Sequence, residues 1–162
     1  MYETEDDVRE LQALLDASHA AAGPHLRAIF DERRRIPAAE LPELLPGVQV
    51  LALATVTVRG EPRVAPVDGL FFRGRFHFGS SHESARFRHI RARPAVSAAH
   101  VRGEQLAIVV HGRAVEIDTA APPQAAFRVY LMETYPDWEE WGAGAPYARI
   151  EPSAMFTFRA EA

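Results

Sequence analysis

The stretch VQVLALATVTV, residues 48–58, places an apolar or small side chain at every second position. This period of two is typical of a β-strand that buries one face. Arg59-Gly60-Glu61 follows and predicts a tight turn into a second strand at residues 63–72. A third strand at residues 75–78 follows Arg73-Gly74. Three strands joined by such short turns predict an antiparallel sheet.

The same alternation returns after Pro94. Residues 96–101 and 106–117 predict two further strands joined by a turn, and residues 155–158 predict a short closing strand. Helices are expected between the third and fourth strands and over residues 119–135, with a loop at residues 136–146. These elements predict a mainly β (α+β) fold, an antiparallel split β-barrel with peripheral helices.

The first 47 residues show helical spacing instead. Thr4 and Asp7 form a capping pattern before an apolar periodic run, and Gly23-Pro24 ends the first helix and opens a second. We expect that second helix to reach Arg33-Arg34-Arg35, whose charges would complement its dipole. The predicted organisation is a helical N-terminal extension, 1–47, and a barrel, 48–162, within one domain.

Composition narrows the class of protein. The chain has 162 residues, of which 48% are hydrophobic and 25% charged, as in a globular domain. Its net charge of −4 gives no general attraction to nucleic acid, and no apolar run is long enough to predict a membrane span. The absence of cysteine excludes disulfides and thiolate chemistry. With an acidic N-terminus in place of a secretion leader, a cytoplasmic protein is expected.

A phosphate-binding pattern follows the third strand. Gly79-Ser80-Ser81 leads into a predicted helix at residues 82–93, which carries four arginines, at positions 86, 88, 91 and 93. Free N–H groups at a helix start, hydroxyls and a guanidinium together suit a phosphate. Serines also cap helices and arginines also form solvated helix faces, so both interpretations stay open from these residues alone.

The order of several short motifs resembles the pyridoxamine 5'-phosphate oxidase-like split barrels. The resemblance covers about residues 48–158 and is carried by Leu53-Ala54-Thr55-Val56, Gly60-x-Pro62-Arg63-Val64-Ala65-Pro66-Val67, Phe78-Gly79-Ser80-Ser81, Ser84-Ala85-Arg86, Arg93-Pro94-Ala95-Val96-Ser97 and Gly112-Arg113-Ala114. Each motif is short, and the specificity lies in their order and spacing.

This resemblance implies a homodimer that binds FMN, or the deazaflavin coenzyme F-420, in a groove between protomers. The implied cofactor-binding residues are Arg63, Val64, Ala65, Pro66, Val67 and Asp68 for the flavin ring and ribityl chain, and Gly79, Ser80, Ser81, Ser84 and Arg86 for the phosphate, with His89 and Gln105 in addition. Arg63 or Gln105 would stabilise negative charge on the reduced ring. The phosphate motif does not separate FMN from F-420, and FMN is the cofactor that we expect first. No catalytic side chain is predicted.

Four departures argue against oxidation of vitamin B6 itself. True pyridoxamine-phosphate oxidases carry a tryptophan on the closing strand where this chain has Phe158, and a substrate-holding arm is expected to be missing because the sequence stops at Ala162. Ala85 stands where they often have a second basic residue, and His89 where they often have an amide. We therefore expect a different small, conjugated substrate in the dimer cleft.

A non-catalytic member of the same fold, which carries haem or another tetrapyrrole, is the alternative function. The histidines are scattered and none forms an i, i+4 zinc pair, so no metal site is predicted. The aromatic-rich segment at residues 135–147 is either a lid over the cofactor ring or a loop that packs against the barrel.

Overall fold

The computed structural model describes residues 2–161, and a six-stranded barrel dominates it. The strands are β1 Val48–Val56, β2 Pro62–Phe72, β3 Arg75–Gly79, β4 Ala95–Arg102, β5 Leu106–Ile117 and β6 Tyr147–Arg159. Neighbouring strands pair antiparallel in the order β1-β2-β3-β6-β5-β4. Strand β4 also pairs with β1, which closes the barrel. The predicted fold class is confirmed.

Alternation in β1 decides which side chains enter the barrel. Leu51 and Leu53 are at most 1% exposed and belong to the main core cluster, whereas Val50 between them is 61% exposed on the outer face. Leu53 pairs with Ala65 of β2, and its neighbour Ala52 pairs with both β2 and β4. The period of two read from the sequence therefore corresponds to one buried and one outward face.

The helices are α1 Glu5–Ala21, α2 Pro24–Ile29, α3 Leu41–Leu44, α4 Ala85–Ala92, α5 Ala125–Thr134 and α6 Trp138–Trp141. Helix α1 begins with the predicted capping box, in which the Thr4 hydroxyl accepts from the Asp7 N–H and the Asp7 carboxylate accepts from the Thr4 N–H. It packs against β6, where the Ser18 hydroxyl accepts the N–H of Met155 at 3.0 Å. This contact joins the N-terminal helix to the barrel.

The second helix is shorter than predicted. Helix α2 ends at Ile29, so Arg33-Arg34-Arg35 lies beyond its last turn. The carboxylate of Asp31 accepts the N–H groups of Arg33 and Arg34, which turns the chain locally and competes with a continued helix.

The closing strand is much longer than the predicted residues 155–158. Strand β6 pairs with β5 along its whole length, and the register shifts between His111 and Gly112. Pro152 stands opposite Gly112 and Ala154 opposite His111, so Ser153 is the extra residue of a bulge. Proline lacks an N–H and is tolerated at such a bulge. Pro152 and the charged residues Arg149 and Glu151 interrupt the alternation of apolar residues, so the sequence does not show the full length of this strand.

The helix predicted over residues 119–135 is also shorter, because Pro122 and Pro123 form a 3₁₀ turn before α5. Helices α5 and α6 bury the outer side of β2 and β3. Their cluster contains Leu70, Phe72, Phe127, Leu131, Trp138 and Tyr147. Both faces of β2 are therefore covered near its end, whereas its beginning remains exposed.

Candidate functional site

A cleft opens at the end of the barrel where β1 ends, β2 begins and α4 packs. Its volume is about 510 Å³, within the range of roughly 300–1,000 Å³ that is usual for small-molecule sites. We call it the β2–α4 cleft. Its lining residues are Leu53, Thr55, Arg63, Val64, Ala65, Ser80, Ser84, Ala85, Arg86 and His89. Seven of the predicted cofactor-binding residues thus line one cleft.

The turn between β3 and α4 forms one wall of the cleft. The Ser80 N–H donates to the carbonyl of Pro146, and the Ser84 N–H donates to the carbonyl of Ser81, both at 3.1 Å. The Ser84 hydroxyl accepts the N–H of Phe87 at 3.3 Å, so Ser84 is the N-cap of α4. Capping uses one lone pair of this hydroxyl, and the start of the helix faces the cleft with a positive dipole end.

Arg86 reaches across the cleft from α4. Its Nη1 donates to the Ser80 hydroxyl at 3.1 Å and its Nη2 to the Pro66 carbonyl at 3.4 Å. The guanidinium is half-buried, and that burial lowers the pKa of Arg86. Among residues 2–161, no carboxylate lies within ion-pair distance of it. A partly desolvated cation without an anion is the electrostatic signature of an anion site.

The other arginines of this segment have structural partners. Arg91 makes two hydrogen bonds to the carboxylate of Glu116, at 2.7 and 2.8 Å. Arg88 is exposed and donates to the carbonyl of Glu83, and Arg93 donates to the carbonyl of Val58. Only Arg86, of the four arginines, points its charge at the cleft.

His89 lies one helical turn after Arg86 and also faces the cleft. Its Nδ1 is 2.9 Å from the hydroxyl oxygen of Thr55, a residue of β1 that is 4% exposed. Thr55 and Leu53 were not predicted as site residues. The signal for Thr55 was a hydroxyl at an inward position of an otherwise apolar alternating strand.

Arg63, Val64 and Ala65 line the opposite wall on β2. Arg63 is exposed and forms an ion pair with Glu61 at 2.7 Å. The next three predicted residues follow on the same strand and do not line the cleft. Pro66 contributes only its carbonyl to Arg86, Val67 is buried in the core, and Asp68 is exposed further on.

Three further predicted residues do not line the cleft: Gly79, Ser81 and Gln105. At Gly79 a Cβ atom would come within 2.8 Å of the Tyr147 ring, so the close approach of β3 and β6 requires glycine there. Ser81 is exposed and uses its carbonyl in the turn. Gln105 lies in the turn between β4 and β5, at the opposite end of β4 from the cleft, so it does not meet these residues within one chain.

The aromatic segment at residues 135–147 packs beside the turn of the cleft. Trp138 is 2% exposed and its indole N–H donates to the Tyr147 hydroxyl at 2.9 Å. Trp141 is exposed and meets Tyr135 edge to face. Burial and, to a lesser extent, the Asp68 carboxylate raise the pKa of Tyr135 to about 12, so its phenol stays neutral. Trp138 therefore has a packing role, and a lid role remains a prediction for Trp141.

The histidines do not assemble a metal centre in the described part of the chain, where no group of three or more His, Asp or Glu side chains is placed to hold an ion. His77 is fully buried against Phe127, at 4.3 Å between ring centroids. Burial lowers the pKa of His77 to about 3, so this ring is neutral at physiological pH. No helix within residues 2–161 is long and apolar enough to cross a membrane.

The outer side of β1, β2, β4 and β5 exposes small apolar side chains. Pro66, Ala52, Ala99 and Val109 stand side by side in one row of paired residues. Val50, Val64 and Val101 flank this row and are 61%, 70% and 57% exposed. We call this surface the outer β1–β4 face. A contiguous apolar surface of this kind is typical of a protein–protein interface.

Residues 38–162 match the family model described as pyridoxamine 5'-phosphate oxidase. Because the match covers well over half of the chain, the protein belongs to that family. The motif resemblance is confirmed. No curated protein matches the chain.

Solved structures agree on the fold. HutZ, a haem storage protein from Vibrio cholerae, has a TM-score of 0.63 at 17% identity, over 74% of this chain and 93% of that one. An FAD-binding protein from Mesorhizobium loti has a TM-score of 0.60 at 19% identity, over 80% and 97%. An F420 reductase has a TM-score of 0.54 at 22% identity, over 70% and 94%. At these identities the likeness establishes the shared fold only.

Proposed function

We propose that the β2–α4 cleft binds FMN and that the protein is a flavin-dependent oxidoreductase. The observation that carries this proposal is Arg86, a half-buried guanidinium directed into the cleft with a serine hydroxyl as its partner and no ion-pairing carboxylate among residues 2–161. The phosphate of FMN is a dianion with three acceptor oxygens, which complements this cation, the Ser80 hydroxyl and the start of α4.

The residues that fit the rest of FMN are those at the beginning of β2. Arg63, Val64 and Ala65 line the cleft wall next to the phosphate end, where extended backbone presents N–H and C=O groups. FMN, when bound, supplies hydride transfer. The chain orients the cofactor, excludes water from one side of the cleft through Leu53 and Val64, and holds positive charge near it through Arg63 and Arg86.

We also propose that the protein is a homodimer that pairs through the outer β1–β4 face. A symmetric dimer places the same patch of two copies together, so small side chains such as Ala52 and Ala99 allow close approach. Val64 belongs to both this face and the cleft wall, so the proposed interface is continuous with the cleft. The proposed substrate, a small conjugated molecule, would enter the cleft from the side that the partner covers.

A charge on this face is expected to break the dimer. Val50→Asp places a carboxylate within the proposed interface, where burial of an unpaired charge costs several kcal/mol. Sedimentation of the variant should give a monomer under conditions where the unmodified protein is a dimer. Val129→Asp is the matched control, because Val129 is 44% exposed on α5, away from this face. Dissociation of both variants to the same extent, or of neither variant, would contradict the proposed interface.

Turnover separates an oxidoreductase from a carrier of the same fold. FMN bound to the protein should be reduced by dithionite and reoxidised by an added electron acceptor faster than free FMN is. Binding of coenzyme F-420 in place of FMN would keep the proposed phosphate site and change the redox cofactor. A haem band in the spectrum of the purified protein, without flavin binding, would favour the storage function that the name of HutZ describes.

Oxidation of vitamin B6 is not part of the proposal. The position on β6 that carries tryptophan in those oxidases is Phe158, and its ring packs against Phe30 at 6.0 Å between centroids. Ala85 supplies no second cation beside Arg86. The phosphate end of the cleft, on α4, therefore carries one arginine, Arg86, where the oxidation of a phosphorylated substrate is expected to require more positive charge.

A further inference from the structure

The contact between Thr55 and His89 joins the barrel wall to the helix of the cleft. The Thr55 hydroxyl is buried, and the Nδ1 atom of His89, at 2.9 Å, is the hydrogen-bond partner found for it within residues 2–161. The other ring nitrogen, Nε2, makes no hydrogen bond in that part of the chain, and it is not one of the buried unpartnered side-chain atoms. It is therefore open to the cleft that His89 lines.

This geometry selects one tautomer of the imidazole ring. If Nδ1 carried the proton, it would donate to Thr55, and the buried hydroxyl hydrogen of Thr55 would have no acceptor. A buried donor without a partner costs about 1–3 kcal/mol. If the Thr55 hydroxyl donates to Nδ1 instead, every buried group is satisfied and the proton lies on Nε2, which faces the cleft. The second arrangement is favoured for the neutral ring.

We propose that Thr55 is a positioning residue that holds His89 as an Nε2–H donor, and that this donor binds the phosphate of the cofactor together with Arg86. His89 and Arg86 are three residues apart on α4, so their side chains lie on one face of the helix. Ser80 and Ser84 line the same end of the cleft. The proposed donors to the phosphate are thus a guanidinium, two hydroxyls and an imidazole N–H. The orientation of the imidazole N–H depends on Thr55, a residue of β1 outside the phosphate turn.

The tautomer can be measured without any cofactor. For the neutral ring of His89 in the ligand-free protein, nitrogen-15 NMR should show Nδ1 unprotonated and Nε2 protonated. Thr55→Val has nearly the same shape but no hydroxyl, and should remove this preference, whereas Thr55→Ser should restore it. A proton on Nδ1 in the unmodified protein would overturn the positioning role.

The phosphate contact rests on the proposed function and is tested by comparing FMN with riboflavin, which lacks the phosphate. Thr55→Val should weaken FMN binding roughly tenfold, as expected for the loss of one hydrogen bond to a charged group, and should leave riboflavin binding unchanged. His89→Phe should do the same, and His89→Gln, which keeps a donor, should retain part of the affinity.

The outcomes separate this inference from the proposed function. Equal weakening of FMN and riboflavin by Thr55→Val would overturn the phosphate contact, because it would indicate a general disturbance of the cleft. Failure of the unmodified protein to bind either flavin would overturn the proposed function and the phosphate contact together. The tautomer of His89 would still decide the positioning role of Thr55 in that case.

Discussion

Arg86→Ala is expected to weaken FMN binding roughly 10- to 100-fold, which corresponds to the loss of a hydrogen-bonded charge partner. The guanidinium is the cleft's half-buried cation, and its partners within the chain are neutral oxygens of Ser80 and Pro66. Riboflavin binding should change little, because the lost interaction is with the phosphate. Flavin fluorescence during titration measures both affinities.

Arg88→Ala is the matched control for this prediction. Arg88 belongs to the same helix and carries the same charge, but it is exposed and donates to the carbonyl of Glu83 outside the cleft. A general electrostatic effect would weaken FMN binding equally in both variants. Retention of full FMN affinity by Arg86→Ala, with an unchanged unfolding transition, would remove the phosphate site as described.

Gly112→Ala is expected to lower the free energy of unfolding by about 3 kcal/mol, which is typical of a substitution that forces backbone to move. A Cβ atom at this position would stand 2.1 Å from the carbonyl oxygen of Glu151, a backbone atom of the neighbouring strand. The bulge on β6 brings the two strands this close. Thermal unfolding should begin roughly 10 °C lower at the same protein concentration.

Gly23→Ala provides the comparison for that substitution. No atom lies within 4 Å of the Cβ position at Gly23, and its backbone is in an ordinary extended conformation. We expect its free energy of unfolding to differ by less than about 1 kcal/mol. If Gly112→Ala were as stable as Gly23→Ala, the two strands could not pair in the observed register.

Much of the fold was predictable because its signals are local. The alternation in β1 and the turn at Gly60, and the capping box at Thr4, need only a few neighbouring residues to be read. Strand β6 was missed over most of its length because its bulge and Pro152 interrupt the alternation, and because its partner β5 lies far away in the sequence. The long pairing with β5 overrides that weak local preference.

The residues of the candidate site also differ in how far the sequence predicts that they lie together. Ser80, Ser84 and Arg86 fall within seven residues, so a turn followed by a helix brings them together by local geometry alone. Thr55 and His89 are 34 residues apart and meet only because α4 packs over the end of β1. A pairing set by tertiary packing has no local signal, apart from a buried hydroxyl in an apolar strand. Gln105, which the resemblance implies as a cofactor-binding residue, lies at the far end of β4 within one chain, and its role stays a prediction.

The most direct test of the FMN site is a titration of the unmodified protein with FMN and, separately, with riboflavin. Flavin fluorescence and sedimentation would give the affinity and the number of flavins per chain. The proposed site predicts one FMN per chain, bound at least tenfold more tightly than riboflavin because of the proposed phosphate contacts in the β2–α4 cleft. Equal affinity for the two flavins, or no binding of FMN, would contradict the proposed site.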